Sequence, residues 1–411
     1  MTAQLISVDA HLETILSALS PLPALDLGLL DAHGCMLAED VTAPFPMPPF
    51  DNSAMDGYAV RGSDVAGASE ASPVRLPVVG DVAAGSTTPY TVQPGLCVRI
   101  MTGAPVPPGA DAVIPVEWTD GGVAQVEIRR APAPGQHIRR AGEDVAAGAM
   151  LVASGSYLGT TQIGVLAAAA RDRVRARPRP RVVIMSTGSE LVEPGAPLGA
   201  GQIPDSNSYL LTTAVREAGA IAYRVGIVPD DPRQFLDTLE DQLIRADIVV
   251  SSGGVSVGAY DVVKEVLART GTVRFDRVAM QPGMPQGFGH VGPDATPFFG
   301  LPGNPVSAYV SFEVFVRPAL RRLLGAEPVH RPQVRAALVG EIRKAAGRRQ
   351  FARGRLSVRE GSYVVEVVGG SGSHLVAGLA QANCFIVVPE SVTEVSDGAP
   401  VTVMVLERRH T

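Results

Sequence analysis

Three loops rich in glycine and hydroxyl side chains are the segments of this sequence best suited to hold an anion. They cover residues 186–190, 251–258 and 300–305. Glycine lets the backbone approach a ligand closely, and serine and threonine hydroxyls donate hydrogen bonds to phosphate or oxyanion oxygens. Each loop alone is also explained as an ordinary tight turn, but three beside one sheet favour a binding site. The residues that we expect to contact an anionic substrate here are Thr187, Gly188, Gly253, Gly254, Ser256, Gly258, Gly303 and Asn304.

Carboxylates accompany the same loops. Backbone donors for an anion beside acidic groups suit a phosphate or pyrophosphate bound with Mg2+, because this ion prefers hard oxygen ligands. The carboxylates concerned are Glu190, Asp205, Asp230 and Asp261.

Some of these residues also have a purely structural interpretation. Asp231 is best explained as the N-cap of a helix that begins at Pro232, where proline is favoured. For Asp230, capping and function are equally well supported. Asp205, Ser206 and Asn207 fit a plain helix N-cap as well as a contact to the substrate.

A scaffold that brings these loops together is predicted over residues 177–328. Apolar runs typical of buried strands alternate there with helical stretches, which predicts a doubly wound parallel sheet covered on both faces. In such a sheet, ligands bind beyond the carboxyl ends of the strands, where helix N-termini present unpaired N–H groups. The predicted strands are 182–185, 221–228, 248–250 and 297–299, and the predicted helices lie around 210–218, from 232, from 260 and at 305–324.

The rest of the chain divides into three further parts. Residues 51–139 contain short β-branched runs separated by glycine and proline, which predicts an inserted β module. The flanking segments 1–50 and 140–176 each carry a helical pattern, and we interpret them as one discontinuous helical N-terminal unit. Alternating runs return over residues 329–411 and predict a C-terminal β domain.

Composition excludes several classes of function. Lysine plus arginine is 35 against 41 acidic residues, a net charge of -6, which disfavours a nucleic-acid partner. Only Lys264 and Lys344 are lysines and neither completes a P-loop. We expect no membrane span, because no stretch approaches roughly 20 apolar residues. The widely spaced cysteines, Cys35, Cys97 and Cys384, are typical of reduced thiols in a cytoplasmic protein.

Seven segments, in order, resemble those of one known family. They are FDNSAMDGYAVR, RIMTGAPVPPGADAV, RRAGEDV, STGSEL, DSN, SSGGVSVGAYD and GLPGNPVSA. Their order and separations strongly resemble the molybdopterin molybdenumtransferase family, whose eukaryotic counterpart is the C-terminal domain of gephyrin. The resemblance covers nearly the whole chain. It implies a homodimer that inserts molybdate into the dithiolene of adenylylated molybdopterin, with Mg2+, and releases AMP.

The resemblance also implies roles for individual residues. It makes Asp56, Thr102, Glu190, Asp230 and Asp261 the catalytic residues, of which the last three hold Mg2+. Pro302 and Pro305 shape the last loop. The site is expected between the α/β domain of one subunit and the N-terminal half of the other. The implied partners are the molybdopterin adenylyltransferase that makes the substrate and the apoproteins of molybdoenzymes.

The sequence departs from the family pattern at three positions. Many relatives carry lysine where this chain has Gln281 and Met284, and many have arginine where it has Ser208. These changes remove cations from the expected anion pocket. Arg139 and Arg140 are our candidate substitutes, and Arg274 and Arg277 are less favoured.

Two other functions are considered at this point. The molybdopterin adenylyltransferase has a related α/β domain, but the N-terminal segment DNSAMDGYA argues against that activity. A gephyrin-like scaffold that binds a partner peptide has no need of the four carboxylates at positions 56, 190, 230 and 261.

Overall fold

The computed structural model describes residues 5–254, 262–269 and 273–406. Contacts divide the chain into two compact units. The first contains Met1–Ala38, Tyr157–Gly159 and Val174–Thr411, and the second contains Glu39–Ser156 and Thr160–Arg173. The helices of the described segments are all too short or too polar to cross a lipid bilayer. The four-part division expected from the sequence stays a prediction.

A six-stranded mixed sheet forms the centre of the first unit. The strands are β1 Arg181–Thr187, β2 Ile221–Val228, β3 Ile248–Ser252, β4 Val273–Arg277, β5 Pro285–Val291 and β6 Thr296–Leu301. Their spatial order is β2-β1-β3-β6-β5-β4. The first four strands in this order pair in parallel, and β5 pairs antiparallel with both β6 and β4. All four strands predicted from the sequence are confirmed. The expectation of a parallel sheet is wrong at one edge, where β5 runs antiparallel to both neighbours. The sequence did not predict β5 because its glycines interrupt the apolar pattern of a strand.

Helices cover both faces of this sheet. They are α1 Asn207–Glu217, α2 Pro232–Leu243, α3 Val262–Arg269, α4 Pro305–Ser311 and α5 Arg317–Leu324, with a π-helical turn at Phe312–Val316 between the last two. Alternate residues of β1 enter different cores: Val182 packs in the cluster that contains Leu211 of α1, and Val183 packs with Phe235 of α2. This alternation is what a sheet buried on both sides requires.

The N-terminal helix, Val8–Ser17, belongs to the first unit. Ser7 caps it by accepting a hydrogen bond from the amide of Ala10 at 3.1 Å. Its buried residues, which include Ile15, join the core beneath α1. Close to it in this unit, Leu25–Gly28, Met36–Leu37 and Arg173–Arg177 form a small three-stranded sheet.

The C-terminal part of the first unit is a β domain, as expected. Its main strands are Gln333–Val339, Arg349–Arg359, Ser362–Val367, Cys384–Val388 and Pro400–Val405. The sheet closes on itself because Arg349–Arg359 pairs with both Ser362–Val367 and Cys384–Val388. A short helix, Ala377–Gln381, lies between two of the strands. Met280–Gln281 adds in parallel to Arg349–Arg359 and so ties this domain to the segment before β5.

The second unit contains a five-stranded sheet. Its strands, in spatial order, are Ala112–Pro115, Gly57–Val60, Cys97–Ile100, Val74–Val82 and Gln125–Ile128. Two strand pairs lie outside this sheet: Asn52–Ser53 with Ile138–Arg139, and Val41–Thr42 with Met150–Val152. The helical pattern noted in the segment 140–176 is present as the helix Thr160–Ala168. All three cysteines of the chain are buried and unpaired.

Candidate functional site

A cleft of about 630 Å³ lies at the carboxyl ends of the parallel strands. The chain leaves β1 towards β2 on one side, and β3 lies on the other side, so the cleft sits where the strand order reverses. Its volume is typical of a small-molecule site. Of the residues expected to bind substrate or metal, those that line the cleft are Thr187, Gly188, Glu190, Asp205, Ser206, Asn207, Asp230, Gly253, Gly254, Gly303, Asn304 and Pro305.

The loop after β3 depends on glycine. Gly253 has a φ of +96°, and a Cβ there would lie 2.5 Å from the carbonyl oxygen of Thr187. A Cβ on Gly254 would lie 2.4 Å from the side chain of Val263. The loops after β1 and β3 therefore approach each other more closely than any other residue type permits.

Asn207 joins two of the three glycine-rich loops. Its Nδ2 donates to the hydroxyl of Ser252 at 2.7 Å and to the carbonyl of Gly303 at 2.7 Å. Its Oδ1 is buried and has no hydrogen-bond partner among the described residues, and the same holds for the hydroxyl of Thr187. A buried polar atom without a partner is costly, so these two atoms are suited to meet groups of a bound substrate.

Asp205 is the most buried carboxylate of the cleft, with 1% of its surface exposed. It accepts hydrogen bonds from the hydroxyl of Ser186 at 3.0 Å and from Ser208, whose amide and hydroxyl lie at 3.1 and 2.5 Å. Asp205 thus accepts a hydrogen bond from the first turn of α1 and also lines the cleft, and its contact to a substrate stays a prediction.

A guanidinium approaches this carboxylate from β2. Arg224 donates to the hydroxyl of Ser208 at 3.2 Å and lies 3.9 Å from Asp205. It is held from the other side by two hydrogen bonds to Glu193, at 3.0 and 2.8 Å, which lower the pKa of that carboxyl. A guanidinium on the neighbouring strand therefore lies beside Ser208 and Asp205, with Glu193 as its closest ion-pair partner.

Glu190 and Asp230 lie at the exposed rim of the cleft. Asp230 accepts a hydrogen bond from the amide of Ser189 at 2.9 Å, and the hydroxyl of Ser189 accepts one from the amide of Asp230 at 3.2 Å. Asp231 caps α2 by accepting from the amides of Arg233 and Gln234. Because the cap belongs to Asp231, the carboxylate of Asp230 is left to face the cleft.

The described residues contain no group of three acidic, histidine or cysteine side chains placed to hold a metal ion. Glu190 and Asp230 supply the oxygen ligands that Mg2+ prefers, and this ion usually keeps water and substrate oxygens in its coordination shell. The site therefore fits a weakly held Mg2+ shared with a substrate phosphate. Asp261, Ser256 and Gly258, also expected at the site, lie outside the described residues.

A second cavity, of about 320 Å³, adjoins the first through Gly303 and Asn304. Pro302 lines it, together with the segment 280–285, which contains Gln281 and Met284. Arg348 from the C-terminal β domain is part of its wall. Arg277 lies against the same segment, with its guanidinium N–H groups 3.2 and 3.3 Å from the sulfur of Met284.

Sequence reasoning missed Arg348, Ser373 and His374. The first two line the second cavity and His374 lines the cleft. They are far along the chain from the glycine-rich loops, and only tertiary structure brings them there.

Asp56 and Thr102 meet in the second unit. The amide and the hydroxyl of Thr102 donate to the same oxygen of Asp56, at 2.7 and 2.8 Å. These hydrogen bonds hold the pKa of Asp56 below its usual value, the amide being the larger cause. Both residues are exposed.

Arg139 and Arg140 also lie in the second unit. Arg139 is exposed at the end of the strand Ile138–Arg139. Arg140 forms an ion pair with Asp51 at 2.6 Å. The amide of Ala141 and the guanidinium of Arg140 lower the pKa of Asp51, in that order of size. The charge of Arg140 is thus partly offset where it stands.

This geometry defines an α/β domain with a cleft of small-molecule size at the carboxyl edge of its sheet. Family models match along the chain: the MoeA N-terminal region (domain I and II) over residues 6–170, a probable molybdopterin binding domain over 183–322, and the MoeA C-terminal region (domain IV) over 335–406. The cleft lies within the second of these segments, apart from its two residues from the C-terminal domain.

Known proteins resemble the whole chain. Molybdopterin molybdenumtransferase 2 of Mycobacterium tuberculosis is 46% identical over 97% of this chain and 98% of its own length. Molybdopterin molybdenumtransferase of Haemophilus influenzae is 38% identical over 92% of each chain. A crystal structure of a molybdopterin biosynthesis MoeA protein from Pyrococcus horikoshii superposes with a TM-score of 0.72 at 29% identity and covers 98% of this chain and 100% of that one. This chain belongs to the molybdopterin molybdenumtransferase family and is a transferase of molybdenum cofactor biosynthesis.

Proposed function

We propose that the enzyme inserts molybdate into the dithiolene of adenylylated molybdopterin and releases AMP, with Mg2+ at the cleft. The observation that carries this proposal is the composition of the cleft. It combines buried polar atoms without partners, on Thr187 and Asn207, with two exposed carboxylates, on Glu190 and Asp230. Such a site suits a ligand that has both a hydrogen-bonding ring and a phosphate.

The carboxylates at the rim are assigned to the metal. Glu190 and Asp230, with Asp261 as the third expected ligand, would hold Mg2+ against the pyrophosphate of the substrate. An Mg2+ ion held by these carboxylates would supply positive charge to offset the negative charge of the leaving phosphate. The chain orients these groups itself, because the amide of Ser189 fixes the carboxylate of Asp230.

Cations are needed because the substrate, molybdate and the carboxylates are all negative. Arg348 is our first assignment for this charge, since it lines the cavity beside Gln281 and Met284. Arg139 and Arg140 stay assigned to the same task, as the sequence predicts, although Arg140 already has Asp51 as a partner. Arginine suits this role because its planar fork pairs two oxygens of one anion.

The second unit is assigned to the same active site through a homodimer. Asp56, fixed by Thr102, would complete the cleft of the other subunit. The molybdopterin adenylyltransferase would supply the substrate, and molybdoenzyme apoproteins would accept the product.

Incubation of the purified protein with adenylylated molybdopterin, molybdate and Mg2+, following AMP, tests the proposal. We expect AMP to form in amounts equal to the cofactor made, and to require all three additions. A parallel reaction contains ATP and molybdopterin that is not adenylylated. AMP absent from the first reaction, with adenylylated product in the second, would assign the chain to adenylyl transfer instead.

A further inference from the structure

Arg353 is a buried guanidinium whose partners are not acids. It lies on the strand Arg349–Arg359, and 4% of its surface is exposed. Its two terminal nitrogens donate to the backbone carbonyls of Leu375 and Gly370. Among the described residues no carboxylate forms an ion pair with it, and burial alone lowers its pKa. On the same strand, Arg349 is paired with Asp9 and Glu390.

The two carbonyls mark the ends of one loop, residues 370–375, which reaches the substrate cleft. Ser373 accepts a hydrogen bond from Asn304 on its hydroxyl at 3.0 Å, and its carbonyl accepts one from the amide of Val306 at 3.1 Å. The next residue, His374, lines the cleft that also contains Glu190 and Asp230. The loop is therefore attached to Arg353 at both ends and to the loop before α4 in its middle.

Stability alone does not account for such a residue. A buried charge without an opposite charge costs free energy, and an apolar residue of similar volume would avoid that cost. What a guanidinium adds is a rigid planar fork whose two N–H groups fix two acceptors at a set separation. The guanidinium packs closely against Gly378, since a Cβ on that glycine would lie 3.1 Å from one of its nitrogens.

We propose that Arg353 is a positioning residue: it holds the loop 370–375 so that His374 meets an anionic oxygen of the substrate in the cleft. The inference rests on the proposed reaction. It assigns His374 as a substrate-binding residue and Arg353 as the group that places it, neither of which belongs to the glycine-rich loops. Arg355, two residues further along the same strand, is exposed, and its one side-chain hydrogen bond among the described residues is to the carbonyl of Gln381 at 3.4 Å, so it is a matched control.

A double-mutant cycle tests the link between the two residues. We expect Arg353→Ala and His374→Ala each to lower kcat/KM for adenylylated molybdopterin by about tenfold. The double variant is expected to be no worse than either single variant, because both remove the same contact. Arg355→Ala is expected to leave kcat/KM unchanged, alone or combined with His374→Ala. Losses that multiply in the Arg353 and His374 pair would overturn the proposal.

Chemical rescue separates positioning from folding. A cavity of about 160 Å³ lies beside Arg353, and guanidinium ion added below its denaturing range can enter the space left by Arg353→Ala. We expect the ion to restore kcat/KM in Arg353→Ala and not in His374→Ala, whatever the change in Tm. If Arg353→Ala does not fold, Arg353→Lys is measured instead; it keeps the charge but loses the fork, and we expect a partial loss of kcat/KM at unchanged Tm. A decrease in kcat/KM that only parallels the decrease in Tm would contradict the role of Arg353. So would a kcat/KM of Arg353→Ala equal to that of Arg355→Ala. Absence of AMP formation by the unmodified enzyme would instead refute the proposed function.

Discussion

The hydroxyl of Thr102 donates a hydrogen bond to Asp56 at 2.8 Å, and the amide of Thr102 donates to the same oxygen at 2.7 Å. The two residues are far apart in the sequence, and each stands in a polar turn whose composition alone gives it no role. Their contact fixes the Asp56 carboxylate on the surface of the second unit. It also lowers the pKa of Asp56, so the group is ionised over a wider pH range than an ordinary aspartate.

Thr102→Val should raise the pKa of Asp56. The variant keeps the backbone amide, which is the larger cause of the shift, and loses the hydroxyl, so we expect a partial return towards the ordinary value. Because the folded pKa is lowered, ionised Asp56 favours the folded state above the unfolded pKa, and this contribution is lost as the pH falls through the folded pKa. Carboxyl NMR titration measures the shift, with Thr88→Val as the control. An Asp56 titration identical in both variants would contradict the assignment.

The proposal that two subunits share each site predicts complementation. Asp56→Ala and Asp230→Ala homodimers should each be inactive, whereas mixed dimers contain one intact site if the two residues act across the interface. After subunit exchange of equal amounts we expect about a quarter of the wild-type activity. Two tags, purified in sequence, isolate the mixed dimer. An inactive mixed dimer, with exchange confirmed, would place both residues in one subunit.

The sequence predicted the parallel core of the sheet and the loops that end it because these features depend on local chemistry. The apolar run of β1 forms a buried strand. Glycine is needed after β3 because a Cβ on Gly253 would lie 2.5 Å from the carbonyl oxygen of Thr187. Asp231 caps α2 as expected from its place before Pro232. The antiparallel strand β5 was not predicted, since glycines interrupt its apolar residues.

The contribution of the C-terminal β domain could not be predicted in the same way. Arg348 and His374 reach the two cavities only because the strand Arg349–Arg359 pairs with Met280–Gln281 and the loop 370–375 contacts Asn304. No pattern near these residues in the sequence points to a ligand. The hydrogen bond from Arg224 to Ser208 could not be predicted either, because it joins strand β2 to helix α1.

Gly253→Ala should disrupt the cleft. The new methyl group would meet the carbonyl of Thr187, and the φ of +96° is unfavourable for alanine. We expect a loss of about 1–3 kcal/mol in the free energy of unfolding together with weaker substrate binding. Gly195→Ala is the matched control, since its φ is +93° and nothing lies within 4 Å of its Cβ position. Equal losses in both variants would show that the close approach has no effect. Chemical denaturation and the KM for adenylylated molybdopterin are the measurements.

Asp230→Asn should weaken the use of Mg2+ more than the binding of the pterin. An amide is a poorer ligand for this ion than a carboxylate, so we expect the Mg2+ concentration for half-maximal activity to rise by about tenfold. Asp231→Asn is the control. Asp231 is the N-cap of α2, and asparagine also caps a helix well. Isothermal titration with adenylylated molybdopterin, without metal, should give the same Kd for both variants. A raised Kd in Asp230→Asn alone would assign Asp230 to the substrate rather than to the metal.

Substitutions of arginine test which cations offset the charge of the bound anions. Arg348 lines the cavity beside Gln281 and Met284, so Arg348→Gln should raise one KM, for molybdate or for adenylylated molybdopterin, by about tenfold. Arg139→Gln should act in the same direction if the second unit reaches the substrate across the dimer. Arg140→Gln should have a smaller effect, because Asp51 already offsets its charge at 2.6 Å.

The dependence of these KM changes on ionic strength distinguishes a direct ion pair with the substrate from a long-range electrostatic effect. A guanidinium that pairs with a bound anion is desolvated and weakly screened, whereas exposed charges lose their influence as ionic strength rises. We therefore expect the Arg348→Gln defect to persist in salt and the Arg139→Gln defect to shrink. Arg359→Gln is the control for loss of a charge, since this exposed residue is paired with Glu366 on the C-terminal domain. An Arg348→Gln enzyme with both KM values equal to those of Arg359→Gln would exclude Arg348 from the site and leave Arg277, beside Met284, as the next cation to replace.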